Sequence, residues 1–195
     1  MTPDNILKLN LPTILTLLRI VLIPVLILVY YWPNSWTNIA AAAIFAFASV
    51  TDWLDGWIAR KWDMQSRFGA FLDPVADKLM VAVALVLAVQ HQPTQWMSLW
   101  VSVIIGREIA VSALREWMAE IGHRSKVKVA LLGKIKTLVQ MVAVTCLLFR
   151  EDFLGLPIFA IGEWLLAGAA LLTLWSGLDY LRAAWPSLVD QNDYN

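Results

Sequence analysis

Six apolar runs recur along the chain, separated by short polar breaks, at about 11–31, 39–55, 74–90, 97–115, 129–149 and 157–180. A helix that crosses a bilayer needs roughly 20 mainly apolar residues. The pattern therefore predicts an all-α integral membrane protein with six transmembrane helices. The breaks carry residues that end helices: "WPNS" at 32–35, "HQPTQ" at 91–95 and "EDFLGLP" before the last run. Asp73 followed by Pro74 reads as a helix N-cap with proline at the first helical position. The connections leave no space for a separate soluble module, so residues 1–195 are expected to form one membrane-embedded domain.

Composition supports this picture and adds an orientation. The chain is 59% hydrophobic and only 15% charged, whereas soluble domains carry about a quarter charged residues. Its mean hydropathy is +0.65. The N-terminal segment lacks a clear small-residue cleavage site before its apolar run, which argues against a cleaved signal peptide. Of the 15 Lys and Arg residues, all but Arg150 fall on one side of the predicted topology. The positive-inside rule places that side, with both termini, in the cytoplasm. Trp32, Trp36, Trp96 and Trp100 lie near span ends, where interfacial anchors collect. The formal net charge is +0, so bulk charge argues neither for nor against an acidic partner, and nucleic acid is not among the expected partners. The single Cys146 excludes an intramolecular disulfide and a cysteine metal cluster.

Against this apolar background, residues 51–77 hold four aspartates. Asp52 and Asp55 stand at i,i+3 and Asp73 and Asp77 at i,i+4, so each pair shares a helix face. Two antiparallel neighbours could point all four carboxylates at one another near the cytoplasmic surface. Like charges at that range need compensation. A divalent cation supplies it, and hard oxygen ligands favour Mg²⁺ or Mn²⁺. Two such ions about 4 Å apart can clamp a phosphoryl group. Separate helix caps or water-facing aspartates are the plain alternative. A cation path is another, but it calls for acids in both membrane halves, and the opposite half has only Glu151, Asp152 and Glu163. In the first run, Thr16 and Arg19 at i,i+3 make one face polar. An arginine so far into a span snorkels to the surface or meets a cavity or an anion.

The stretch from Asp52 to Asp77 reads D-W-L-D-G-W-I-A-R, eight residues, then G-A-F-L-D-P-V-A-D. It resembles the signature of the CDP-alcohol phosphatidyltransferase family, D-x2-D-G-x2-A-R-x8-G-x3-D-x3-D, at every fixed position. Along the chain as a whole, "LPTILTLLRIVLIP", "SRFGAFLDPVADK", "GREIAVSALREWMAE" and "GKIKT" are similar to family members whose acceptor alcohol is sn-glycerol 3-phosphate. Inositol phosphate, serine or phosphatidylglycerol are the acceptors that the signature alone leaves open.

The resemblance implies transfer of the phosphatidyl group of CDP-diacylglycerol to the acceptor hydroxyl, with Mg²⁺ or Mn²⁺ and two ions expected. It implies that Asp52, Asp55 and Asp73 hold the metal pair, and that Asp77 adds a ligand and serves as general base. Gly56 would let the nucleotide approach the backbone. Arg60 would fork onto a diphosphate oxygen, Ser66 would contact the nucleotide, and Gly69 would allow close packing. Thr13 and Thr16 would line the CDP-diacylglycerol site, to which Asp52 also belongs. For the acceptor phosphate the candidates are Arg107, Lys134, Arg115, Lys136 and Arg19, with an interhelical pair mediated by Arg107 and Glu108, plus ordinary positive-inside residues, as the alternative for Arg107 and Lys134. Arg124, Lys126 and Lys128 are expected to meet anionic headgroups. His91 and His123 fall in predicted loops, with no catalytic role expected. The resemblance further suggests a homodimer in the bacterial inner membrane, with membrane lipids as its other partners.

Overall fold

In a computed structural model of the chain, the described residues are 11–62, 67–120 and 131–189. They form six helices: α1 Leu11–Tyr31, α2 Thr37–Trp62, α3 Arg67–His91, α4 Gln95–Glu120, α5 Leu131–Phe149 and α6 Ile158–Val189. Pro12 sits in the first turn of α1, where its missing N–H has no helical partner to lose. The chain leaves α1 through "WPNS", and Thr94 caps α4 by accepting the Met97 N–H at 3.1 Å. Between α5 and α6, Leu154 (φ 52°) and Gly155 (φ 78°) make a two-residue turn. Phe153 and Leu156 exchange backbone hydrogen bonds across it, at 3.1 and 2.9 Å.

Helices α2, α3, α4 and α6 outrun the apolar runs that predicted them. Helix α2 continues to Trp62 and α3 starts at Arg67, so most of the loop expected between them is helical. Asp73 is consequently not an N-cap. It lies in the second turn of α3, and Pro74 is inside the helix. The D-P signal is local and removes one N–H, whereas the Phe68–Leu72 side of the helix carries Gly69 buried in the bundle. Tertiary packing carries the backbone across a single missing bond. Hydropathy marks what tolerates lipid; it does not mark where a helix ends.

Helix α1 packs against both α2 and α3, which touch one another only slightly. Helix α5 packs against α6, α2 and α3, and α4 packs mainly against α6. Leu26, Phe45, Leu85, Ile104, Leu147 and Leu166 fill the core between these elements. At the α5–α6 crossing, a Cβ on Gly162 would stand 3.0 Å from Cys146 Cβ and 3.1 Å from the Ala143 carbonyl oxygen. Glycine there lets the two backbones approach closely, a device common between membrane helices.

The outer surface is apolar. Val21, Leu28, Phe47, Val86, Trp164 and Leu171 all project away from the bundle. Four helices are long and apolar enough to cross a membrane: α1, Thr37–Leu54 of α2, α4, and Ile158–Trp185 of α6. The chain is an all-helical membrane protein. Six spans were expected from the sequence. Helix α3 carries Asp73, Asp77 and Lys78 in its first half, and among the described residues α5 contributes a shorter apolar stretch, Ile135–Phe149.

Candidate active site

Helix α1 presents Thr13, Thr16 and Arg19 at successive i,i+3 positions, and all three are buried between α2 and α3. Arg19 is only 2% exposed, so it does not snorkel. Its Nη1 lies 3.0 Å from Asp52 Oδ1 on α2 and also pairs with Asp77 Oδ1 on α3. Thr16 Oγ1 contacts Asp73 Oδ1 and lies 3.0 Å from the Pro12 carbonyl oxygen. The two acidic helix faces thus come together through α1 and not by direct α2–α3 packing. A guanidinium between two carboxylates offsets their repulsion and lets helices that barely touch share one polar site.

Below this cluster, Arg19, Asp52 and Asp77 head a narrow cavity of about 10 Å³ whose floor includes Phe45, Met80 and Met141. That is about the room one water needs. Ser49, also on its wall, donates to the Phe45 carbonyl at 2.9 Å and lies 3.4 Å from Met141 Sδ.

Of the signature residues, Asp52, Asp73 and Asp77 are gathered here. The side chains of Asp55 and Arg60, the surroundings of Gly56, and Ser66 as a whole lie outside the described residues, as do the Lys134 side chain, Arg124, Lys126, Lys128 and His123. His91 is the last residue of α3, with its ring 5.3 Å from that of Phe159. Among the described residues no three His, Cys, Asp or Glu side chains close on a single ion position. Asp52, Asp73 and Asp77 nevertheless offer hard oxygens, and among the described residues the Arg19 guanidinium paired with Asp52 and Asp77 leaves negative charge over. The donor chemistry and this charge excess fit a divalent cation.

A second polar cluster joins α4, α5 and α6. Arg107 Nη2 donates to Ser176 Oγ on α6 at 2.8 Å, and its Nη1 lies 3.4 Å from Glu108 Oε1. Lys136 on α5 pairs with the same Glu108 oxygen. Arg115 stands two turns along α4 from Arg107, with its guanidinium carbon 5.9 Å from the centre of the Tyr180 ring. Three of the five basic residues grouped by the sequence for the acceptor phosphate, Arg107, Arg115 and Lys136, thus belong to this cluster. Arg19 belongs instead with the carboxylates of α2 and α3.

Sequence reasoning gave Ser176 and Gly177 no role. A Cβ on Gly177 would meet the Arg107 side chain at 3.2 Å, so this step of α6 is the berth of that arginine. Neither residue stands out in an apolar run, because their importance comes from the α4–α6 contact. Glu108 was legible only as a neighbour of Arg107, and its reach to Lys136 was not.

The chain belongs to the CDP-alcohol phosphatidyltransferase family, whose model matches residues 9–175. Enzymes of this family are in general dependent on divalent metal. More particularly, the chain is 52% identical over 186 residues to a CDP-diacylglycerol–glycerol-3-phosphate 3-phosphatidyltransferase of Escherichia coli strain K12. That match covers 93% of this chain and 98% of the relative. A protein of the same name from Shigella flexneri serotype 5b is similar to the same extent, 52% identity with 93% and 98% coverage.

Proposed function

We propose that this chain transfers the phosphatidyl group of CDP-diacylglycerol to the primary hydroxyl of sn-glycerol 3-phosphate, giving phosphatidylglycerophosphate and CMP. The observation that carries this reading is the 52% identity over nearly the full length to relatives that bear the name of that reaction. An aligned active-site signature would leave the acceptor open; likeness across α4 and α5 as well speaks for glycerol phosphate.

The acceptor hydroxyl attacks the diacylglycerol-linked phosphorus in line, a new P–O bond forms, and the bond to the CMP phosphate breaks. Asp77 takes the hydroxyl proton. Thr13, Thr16, Gly56, Arg60, Ser66 and Gly69 hold the cytidine diphosphate portion of the donor, and Arg107, Lys134, Arg115 and Lys136 hold the acceptor phosphate. Arg19 serves as the counter-ion that holds Asp52 and Asp77 together and oriented, a reading supported by its burial and its contact with both. Asp52, Asp55, Asp73 and Asp77 would hold Mg²⁺ or Mn²⁺, two ions, whose chemistry is to neutralise the diphosphate and the leaving CMP.

The reading includes six spans in one membrane-embedded domain, with α3 and α5 crossing as part of the bundle. Both termini and the acidic site face the cytoplasm of a bacterial inner membrane, since 14 of the 15 Lys and Arg residues lie on that side. A homodimer is part of the same reading. A donor with a water-soluble head and two acyl tails suits a polar site at the membrane boundary that opens sideways to lipid.

The test is CMP release by the purified protein with CDP-diacylglycerol and a panel of acceptors, with and without Mg²⁺ or Mn²⁺. Release is expected with glycerol 3-phosphate and divalent metal only. Release with serine or inositol phosphate alone would overturn the acceptor assignment.

A further inference from the structure

The second polar cluster has an asymmetry that the reaction does not by itself require: two cations, Arg107 and Lys136, share the one carboxylate of Glu108. Successive residues of a helix point about 100° apart. Arg107 accordingly reaches α6, where Ser176 accepts its Nη2 hydrogen bond at 2.8 Å. Glu108 turns toward α5 and takes Lys136. Among the described residues, α4 and α5 both pack on α6 but are not close-packed on each other. Glu108 and Lys136 therefore join two helices whose backbones do not pack closely on each other.

Lys136 is nearly enclosed, with its side chain 6% exposed, while Glu108 is 31% exposed and Arg107 17%. An ammonium enclosed without a partner loses its proton or swings to water. One carboxylate prevents both. It leaves the cluster with two positive charges in excess, counting Arg115, which stands within electrostatic reach of Arg107. A phosphate monoester carries roughly −1.5 to −2 at neutral pH, which matches that excess.

We infer that Glu108 is a positioning residue of the acceptor site: it holds Lys136 charged and turned toward α4, beside an Arg107 berthed on Ser176 and Gly177, so that both cations meet one phosphate monoester. The inference rests on the reading of this cluster as the acceptor site. Glu108 does not touch the reacting atoms; it acts through Lys136. Were it only a competitor for the two cations, its removal would tighten acceptor binding, so the sign of the effect separates the two roles.

The experiment measures KM for glycerol 3-phosphate and for CDP-diacylglycerol, together with kcat and the melting temperature, in Glu108→Gln, Glu108→Asp, Lys136→Met and the double variant Glu108→Gln/Lys136→Met. Loss of one charge-assisted contact raises acceptor KM about tenfold or more. That rise is expected in Glu108→Gln with the donor KM unchanged, and partial recovery in Glu108→Asp. Because Glu108 works through Lys136, the double variant should be no worse for the acceptor than Lys136→Met alone. It also removes both members of the pair and so remains informative if Glu108→Gln folds poorly. A lowered or unchanged acceptor KM in Glu108→Gln, or multiplying effects in the double variant, would overturn the positioning role. An unchanged acceptor KM in Lys136→Met would instead overturn the placement of the acceptor site itself.

Discussion

Arg19 is the residue on which the acidic site turns. Among the described residues it is the largest fully buried side chain, and it is charged. Burying a guanidinium is favourable only with partners that satisfy it, and Asp52 and Asp77 are such partners. Arg19→Ala leaves the two carboxylates facing each other without that cation. Removing one partner of an ion pair in a buried setting costs on the order of 2–4 kcal/mol here, below the figure for a fully enclosed pair because the aspartates keep some solvent contact. A melting temperature unchanged from the parent protein in detergent would refute that account. Asp77→Asn tests a different role. Loss of a general base costs about 10²–10⁴-fold in rate, so turnover should collapse while CDP-diacylglycerol still binds. Near-normal CMP release would remove Asp77 from proton transfer.

At the scale of elements, α1 and α6 hold the two polar clusters together. Helix α1 lies against both α2 and α3, so the acidic faces are joined by Arg19 and Thr16 where direct helix packing is slight. Helix α6 gives α4 and α5 a common wall and supplies the Ser176–Gly177 step on which Arg107 lies. Gly177→Ala places a methyl 3.2 Å from Arg107 Cγ, and the arginine must yield by a few tenths of an ångström. Small misplacements of a substrate-holding group are felt in the kinetics. Acceptor KM should rise roughly threefold, with donor KM and melting temperature unchanged. Equal KM values for parent and variant would show that the berth of Arg107 has no bearing on the acceptor.

For the whole molecule, the question is which way the bundle sits in the membrane. In a Cys146→Ser background, single cysteines at Gln65 or Gln191 should be shielded from a membrane-impermeant thiol reagent in intact cells. A cysteine at Asp152 should be labelled. The reverse pattern would invert the proposed orientation and put the acidic site on the wrong side for a cytoplasmic nucleotide donor. Fourteen of the 15 basic residues argue for the first pattern.

By itself the sequence determined the helical count, the turns at "WPNS", "HQPTQ" and "EDFLGLP", and the spacing that places Asp52, Asp73 and Asp77 on helix faces. These are local properties: hydropathy over a bilayer length, glycine and proline at turns, and the 3.6-residue period. The family signature was legible for the same reason, since its residues lie within 26 positions of one another. Local signals also misled. Asp73-Pro74 has the chemistry of a helix start, yet packing carries α3 through it from Arg67. Tertiary structure alone decided that Arg19 belongs with the carboxylates and not with Arg107, that α1 lies between the two acidic helices, and that Glu108, Lys136, Ser176 and Gly177 share one cluster. Residues 108, 136 and 176 lie on three different helices, and a hydropathy pattern gives each helix an inner face without naming the neighbour that face will meet. Which cation meets which carboxylate depends on that neighbour, because charge pairing in a low-dielectric bundle acts over a few ångströms.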